Sequence, residues 1–511
     1  MALLLPVLLA LLLCLTSALY YLGAFRRRRP GEPPLDKGPL PWLGHVMDFR
    51  KDPANFLKKM QKKHGDIFTV QIGGHYFTFL MDPLSFGSVV REAQEKLNFS
   101  IFAEQLVRRV FGYHALEEDH KLVQLSTKKH LMGDSLVLMT QAMMTNLQKL
   151  MLHGLGSAEG TDPWTEDSLY RFSYNIVFRA SYLAIFGTAS SESADTLQKA
   201  DEQDRLESEE LFLEFSKYDQ LVSHLAFGVL PPRRKMEAER LKRLFWRALS
   251  VEKLREKDNT SRWVTEQCQE REERGVRRPM LDRFMLVLLF VSQGNTGPSA
   301  FWLLFYLMRH PEAMKAVQEE VDRVLKDNGQ QVYPGGPPID LTRDMLLRTP
   351  VLDSAVEETL RLTAAPVLTR AVVQDMKLKM ADGREFALRK GDWVSLFPYV
   401  AAQMDPSIHP EPQTFKYDRF LTPQRTKKTD FYKDGKKLKF YNMPWGAGGS
   451  ICPGRFFASN ELKQFVFLML TYFDLELLRP DEEITAADMT RWSIGLTQPT
   501  LDVRFRYRLR F

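Results

Sequence analysis

A mainly α-helical body with small β-sheets, carried on one N-terminal membrane-spanning helix, is the architecture this 511-residue sequence predicts. Three observations point there. Met1 to Phe25 contain no charged side chain. From about Asp82 to Leu325 the chain reads mostly as helices, while the β-rich stretches are short and far apart. Composition is globular, with 44% hydrophobic and 26% charged residues, which excludes disorder, collagen and a polytopic membrane protein.

Taken in order, residues 1–25 as a helix would span roughly 37 Å, enough to cross a bilayer. Tyr20, Tyr21 and Phe25 suit the interfacial belt, and the Arg26–Arg29 run that follows marks the cytosolic side. Residues 26–45 form a basic, Pro-rich linker, stiffened by Pro30-Gly31-Glu32-Pro33-Pro34. The body is expected over 46–511. Ile67 to Met81 reads as a hairpin turning at Gly73-Gly74. The helices that follow are expected to be interrupted by polar patches such as Ser190 to Asp204. Pro311 opens another helix. Strand-like segments return at Thr369 to Phe386, coil runs from Asp405 to Ser450, and a last apolar helix is expected near Ala458 to Leu477.

The Arg26–Arg29 run supplies most of the net charge of +6, so the body is nearly neutral and charge gives no argument for a nucleic-acid partner. Cys14, Cys268 and Cys452 lie too far apart for zinc spacing. So sparse and odd a set argues against a disulfide framework and for a body facing the cytosol. No P-loop or Rossmann glycine pattern is present.

Chemistry concentrates in Pro444-Trp445-Gly446-Ala447-Gly448-Gly449-Ser450-Ile451-Cys452-Pro453-Gly454. Glycines let backbone approach a flat ligand. A cysteine that ends such a loop just before a helix has backbone N–H groups aimed at it, which stabilise a thiolate. This suits axial ligation of haem iron, with an incidental buried cysteine in a tight turn as the alternative.

The loop resembles the haem-ligand signature of cytochromes P450, F-x-x-G-x-[RH]-x-C-x-G. Trp445 stands for Phe, Gly448 and Gly454 match, and Cys452 is the implied iron ligand. Ser450 replaces the usual Arg or His that pairs with a haem propionate. Glu358-Thr359-Leu360-Arg361 resembles the family's E-x-x-R, and Arg419 in Phe415-Lys416-Tyr417-Asp418-Arg419-Phe420 supplies the third member of the family's Glu–Arg–Arg network. Arg370, four residues after Pro366, stands where many members place a propionate arginine. The resemblance implies haem b with an axial thiolate, in a mainly α fold that holds the haem between two long helices.

On the distal side the family commonly carries [AG]-G-x-[DE]-T, whose acid and alcohol deliver protons. Here the stretch is Val291-Ser292-Gln293-Gly294-Asn295. Gly294 replaces the acid and Asn295 the threonine, which makes them the residues expected nearest the chemistry. An amide is a poor proton source at neutral pH. Pro298 with Gly297 is expected to open the helix locally. Gln293-Gly294-Asn295, Gly297-Pro298, Ala364-Ala365-Pro366 and the tail Asp502 to Arg508 resemble the eighth P450 family, which comprises sterol 12α-hydroxylase and prostacyclin synthase. Ala381 to Phe386 and Asp430 to Lys436 look more like the synthase. The ligand loop and distal helix look like the hydroxylase, and they lie nearest the chemistry.

That resemblance implies a monooxygenase acting on a bile-acid precursor sterol at C12. Electrons would come from NADPH–cytochrome P450 reductase, and the enzyme would sit in the endoplasmic reticulum membrane with its catalytic domain in the cytosol. Asn295 would hold a water that relays protons, and Phe290, Gly294, Pro366, Val367 and Leu368 would wall the pocket. Lys427, Lys428, Lys436, Lys437, Lys439 and Arg455 lie near the ligand loop and would meet an acidic partner. The alternative is an isomerase rearranging a prostaglandin endoperoxide without oxygen or reductase.

Overall fold

The computed structural model describes residues 4–21, 26–153, 164–191, 194–481, 487–488, 491 and 495–510. Eight helices carry the argument: α1 (Leu4–Tyr21), α2 (Asp119–His130), α3 (Leu169–Phe186), α4 (Ala194–Phe227), α5 (Arg278–Gln293), α6 (Thr296–Arg309), α7 (Pro350–Thr363) and α8 (Arg455–Tyr472). At its centre α6 packs on α3, α7 and α8. Every residue of α6 from Thr296 to Leu307 is buried, as is α8 from Glu461 to Tyr472. A helix apolar all round is stable only when other elements enclose it, and these two are the middle of the bundle.

A six-stranded sheet lies beside the helices: β1 (Leu35–Asp36), β2 (Ile67–Ile72), β3 (His75–Leu80), β4 (Leu97–Asn98), β5 (Leu368–Val372) and β6 (Trp393–Leu396), in the order β1-β2-β3-β6-β5-β4. The expected hairpin is β2–β3, with Ile67 opposite Leu80 and left-handed φ at Gly73 and Gly74. β5 sits inside the sheet, with Arg370 opposite Val394.

Two expectations need correction. The polar patch from Ser190 interrupts the helices only at its start: α3 ends at Phe186, Gly187–Ser191 is not helical, and α4 then runs continuously from Ala194 through Asp204 to Phe227. Its Glu, Gln and Lys residues are good helix formers when solvated. Residues 192–193 lie outside the described residues. The last helix ends at Tyr472, not Leu477, because Phe473–Leu477 pairs antiparallel with Arg504–Leu509.

At the N-terminus, α1 covers 18 residues, about 27 Å. Among the described residues no helix is long and apolar enough to cross a membrane. Residues 1–3 and 22–25, on which the expected span also rests, lie outside the described residues. The chain after them is bound to the sheet. Arg26 Nη1 donates to Asp392 Oδ1 at 2.5 Å, Glu32 pairs with Arg389, and β1 pairs parallel with β2.

Candidate active site

Cys452 lies between the 3₁₀ turn Gly448–Ser450 and the start of α8. Its own N–H donates to the Trp445 carbonyl at 2.7 Å, which closes the loop. Burial pushes the thiol up, and the backbone N–H groups of Gly454 and Arg455 at the mouth of α8 pull the other way. Arg455 Nη1 also donates to the Cys452 carbonyl at 3.0 Å. Gly448 has φ +61°, and a Cβ there would lie 2.5 Å from the Val90 carbonyl oxygen, so only glycine lets the loop seat. Gly454, by contrast, has open space where a Cβ would stand.

Arg370 reaches this loop from β5. Its Nη2 donates to Ser450 Oγ at 2.9 Å and to the Ala447 carbonyl at 3.3 Å. Its Nη1 is buried without a hydrogen-bond partner, and burial lowers the guanidinium pKa. A buried cation with an unpaired donor is costly unless an anion meets it.

A second set of residues holds the coil before the loop. Glu358 and Arg361 are fully buried on α7, and Arg419 is 8% exposed. Arg361 Nε and Nη2 donate to the two Glu358 oxygens at 2.7 and 2.8 Å, and its Nη1 donates to the Gln403 and Pro412 carbonyls, each at 2.7 Å. Arg419 Nε donates to both Glu358 oxygens at 2.9 Å. Its remaining nitrogens reach the carbonyls of Pro410, Glu411 and Thr414. Planar guanidinium forks thus tie the Gln403–Arg419 coil to α7.

On the distal side the long helix opens at Gly294–Asn295, between α5 and α6. The opening lies one turn before Pro298, because proline offers no N–H to the Gly294 carbonyl. Phe290 lies one turn before the opening, its ring against Phe111 and Phe215 at centroid distances of 5.2 and 6.1 Å. A Cβ on Gly294 would sit 3.2 Å from that ring, so the ring fills the space an acidic side chain would need. Asn295 is exposed while Gly294 and Thr296 are buried. Its Oδ1 accepts the Leu496 N–H at 3.1 Å, which fixes the amide's orientation and leaves Nδ2 as its free donor.

One short segment joins the two sides. Ala365 N–H donates to the Gly495 carbonyl at 2.9 Å, next to the Leu496 that holds Asn295. Pro366 and Val367, both half-buried, follow at once, then Leu368 and Arg370 in β5. A Cβ on Gly446 would touch Leu368 Cδ2 at 3.6 Å, and Arg370 bonds Ser450. Residues 363–370 therefore run from the distal opening to the cysteine loop.

The cytochrome P450 family model matches residues 33–505. The chain belongs to the cytochrome P450 family. Among its relatives is human 7-alpha-hydroxycholest-4-en-3-one 12-alpha-hydroxylase, 50% identical over 99% of this chain and 98% of that protein. Bovine prostacyclin synthase is 44% identical over 94% of this chain and 95% of that protein. Among solved structures, a retinoic acid-bound cyanobacterial CYP120A1 superposes with a TM-score of 0.64 at 21% identity, covering 94% of this chain and all of that one, a likeness of fold.

This P450 is a monooxygenase homologue whose family cofactor is haem with a thiolate ligand. Its residues fit that group. A cysteine sulfur under two backbone N–H groups suits a thiolate ligand, and the unpaired Arg370 Nη1 suits a carboxylate. Ser450, which departs from the family pattern, is itself bonded by Arg370.

Sequence reasoning missed the residues of this P450 that meet the site from far along the chain. His120 Nε2 lies 2.9 Å from the Gly449 carbonyl, and Gln124 Nε2 donates to the same oxygen at 2.6 Å, both from α2. The motif pattern carries no signal for either.

Proposed function

We propose that this chain hydroxylates a bile-acid precursor sterol at C12, using O2 and electrons from NADPH–cytochrome P450 reductase. The observation that carries this reading is the near full-length identity of 50% to a sterol 12-alpha-hydroxylase, against 44% to a prostacyclin synthase. Haem, when bound, supplies the iron at which oxygen is activated.

The chain's own residues then divide the work. Cys452 would hold the haem iron as a thiolate, its charge met by the Gly454 and Arg455 N–H groups. Arg370 Nη1 would meet a haem carboxylate, while Nη2 keeps Ser450 in place. Trp445, Gly448 and Gly454 shape the cysteine loop, and Glu358, Arg361 and Arg419 pin the coil that leads into it. Phe290, Pro366, Val367 and Leu368 wall the sterol pocket, excluding water. Gly294 leaves room for the Phe290 ring, and Asn295 Nδ2 donates to a water that carries protons to the reaction side.

Residues 1–25 anchor the enzyme in the endoplasmic reticulum membrane, and the cytosolic haem domain begins within the expected 26–45 linker, where Arg26, Glu32 and β1 are already bound to the body. The reductase docks on the basic face near the cysteine loop. Lys427 and Lys437 are already paired there with Glu357 and Asp430, so Lys428, Lys436 and Lys439 offer the freer charge.

The test is mass spectrometry on haem-loaded protein given 7α-hydroxycholest-4-en-3-one, with NADPH and reductase present or omitted. The expected product is heavier by one oxygen and appears only when both are present. Conversion of a prostaglandin endoperoxide without NADPH, and no sterol product, makes the enzyme an isomerase instead.

A further inference from the structure

The segment Gly495–Gln498 touches several elements at once. Besides the Leu496 and Gly495 bonds already described, the Thr497 N–H and hydroxyl both donate to the Thr363 carbonyl at the end of α7, at 2.9 and 3.0 Å. Trp302 Nε1 on α6 donates to the Thr497 carbonyl at 2.8 Å. Gln498 Nε2 donates to Asp219 Oδ2 on α4 at 2.7 Å. A Cβ on Gly495 would lie 2.6 Å from Asn295 Oδ1, so the contact with Asn295 is close-fitted.

Asp219 is the far anchor of this segment. Arg491 Nη2 donates to its Oδ1 and Nη1 to its backbone carbonyl, each at 2.9 Å, and the Tyr174 hydroxyl of α3 lies 3.5 Å from Oδ2. Asp219 is 2% exposed and Arg491 4%. A buried ion pair adds little stability over packed apolar residues of the same volume, because both charges lose their hydration. What this pair does provide is a fixed position, since neither charge can leave its partner without a large penalty.

We propose that Asp219 and Arg491 are positioning residues for Asn295, which deepens the function proposed above and rests on it. By holding Gln498 against α4 they complete, with the Gly495 and Thr497 bonds, the set of contacts that holds the Leu496 N–H on Asn295 Oδ1. An N–H can be accepted only by the amide oxygen, so this bond decides which end of the amide is free. With the segment released, the amide turns over and presents a mixture of donor and acceptor where the reaction needs a donor.

The experiment uses the haem-loaded full chain and three variants, Asp219→Asn, Asn295→Ala and the double variant. Hydrogen exchange at the 495–498 peptide and product formed per NADPH consumed are both read. In Asp219→Asn, exchange at Leu496 is expected to be faster by about tenfold, the size of losing a hydrogen bond to a charged group. Product per NADPH falls, and the double variant is no worse than Asn295→Ala alone. Unchanged exchange at Leu496 overturns the proposal whatever the substrate proves to be. Faster exchange with undiminished product per NADPH, or losses that multiply in the double variant, overturns it too. If the unaltered chain turns over no sterol, the function reading fails while the exchange result still decides the clamp. Should Asp219→Asn not take up haem, Gln498→Leu removes the same link without touching the ion pair and is held to the same outcomes.

Discussion

Glu461 is fully buried on α8, and neither carboxyl oxygen has a well-formed hydrogen bond. Burial pushes its pKa up to about 8, against a smaller opposing pull from the Ser181 hydroxyl. The native state therefore keeps a proton that the unfolded chain gives up near its ordinary value of 4.5. Between those two values the unfolded chain binds fewer protons, so stability falls as pH rises through that window and is level on either side. Glu461→Gln removes the dependence. The variant is expected to gain on the order of 3 kcal/mol at neutral pH and nothing at pH 4. Thermal unfolding of both proteins across the window checks this, and parallel curves would refute it. At this same scale the cysteine loop was readable in advance, because its glycines, Cys452 and the helix start are neighbours in sequence. Gly294 was readable as a missing acid, but the Phe290 ring in the acid's place was not.

Among the described residues, the contact of α3 with α6 is the closest made by a glycine. A Cβ on Gly297 would collide with the ring of Tyr174, which is 2% exposed and faces Asp219. Gly297→Ala forces the two central helices apart and is expected to cost about 1–3 kcal/mol. Chemical unfolding measures it, and a loss below about 0.5 kcal/mol, the scale of a surface change, would mean Tyr174 moves aside freely. Helices and the β2–β3 hairpin were legible because periodicity and turn residues act locally. Errors arose where distant chain overrode the local pattern. Phe473–Leu477 is apolar enough for helix, yet it finds a strand partner in Arg504–Leu509. Asn295 with Leu496, Asp219 with Arg491 and Gln124 with Gly449 are pairings across hundreds of residues, which one sequence does not encode in any local motif.

For the whole molecule, two bodies of core meet along residues 363–370. One is helical, around α6 and α8, and the other lies over the six-stranded sheet. Arg26 and Glu32 bind the chain's entry to that sheet through Asp392 and Arg389. The Glu358 network binds the long coil to the helical side. Glu358→Gln leaves two guanidiniums sharing a neutral amide in the interior, a change expected to cost about 3–5 kcal/mol. Such a protein should fail to retain haem at 37 °C, read as the absorbance of the ferrous carbonyl complex. Full retention of that signal would show that the carbonyl contacts of Arg361 and Arg419 suffice alone.

That three-member network also constrains how this chain can change over generations. Glu358 serves both arginines with the same two oxygens. Altering it strands two cations, and altering either arginine frees several backbone carbonyls. The three positions therefore depend on one another, and a change at any one of them is felt at the other two.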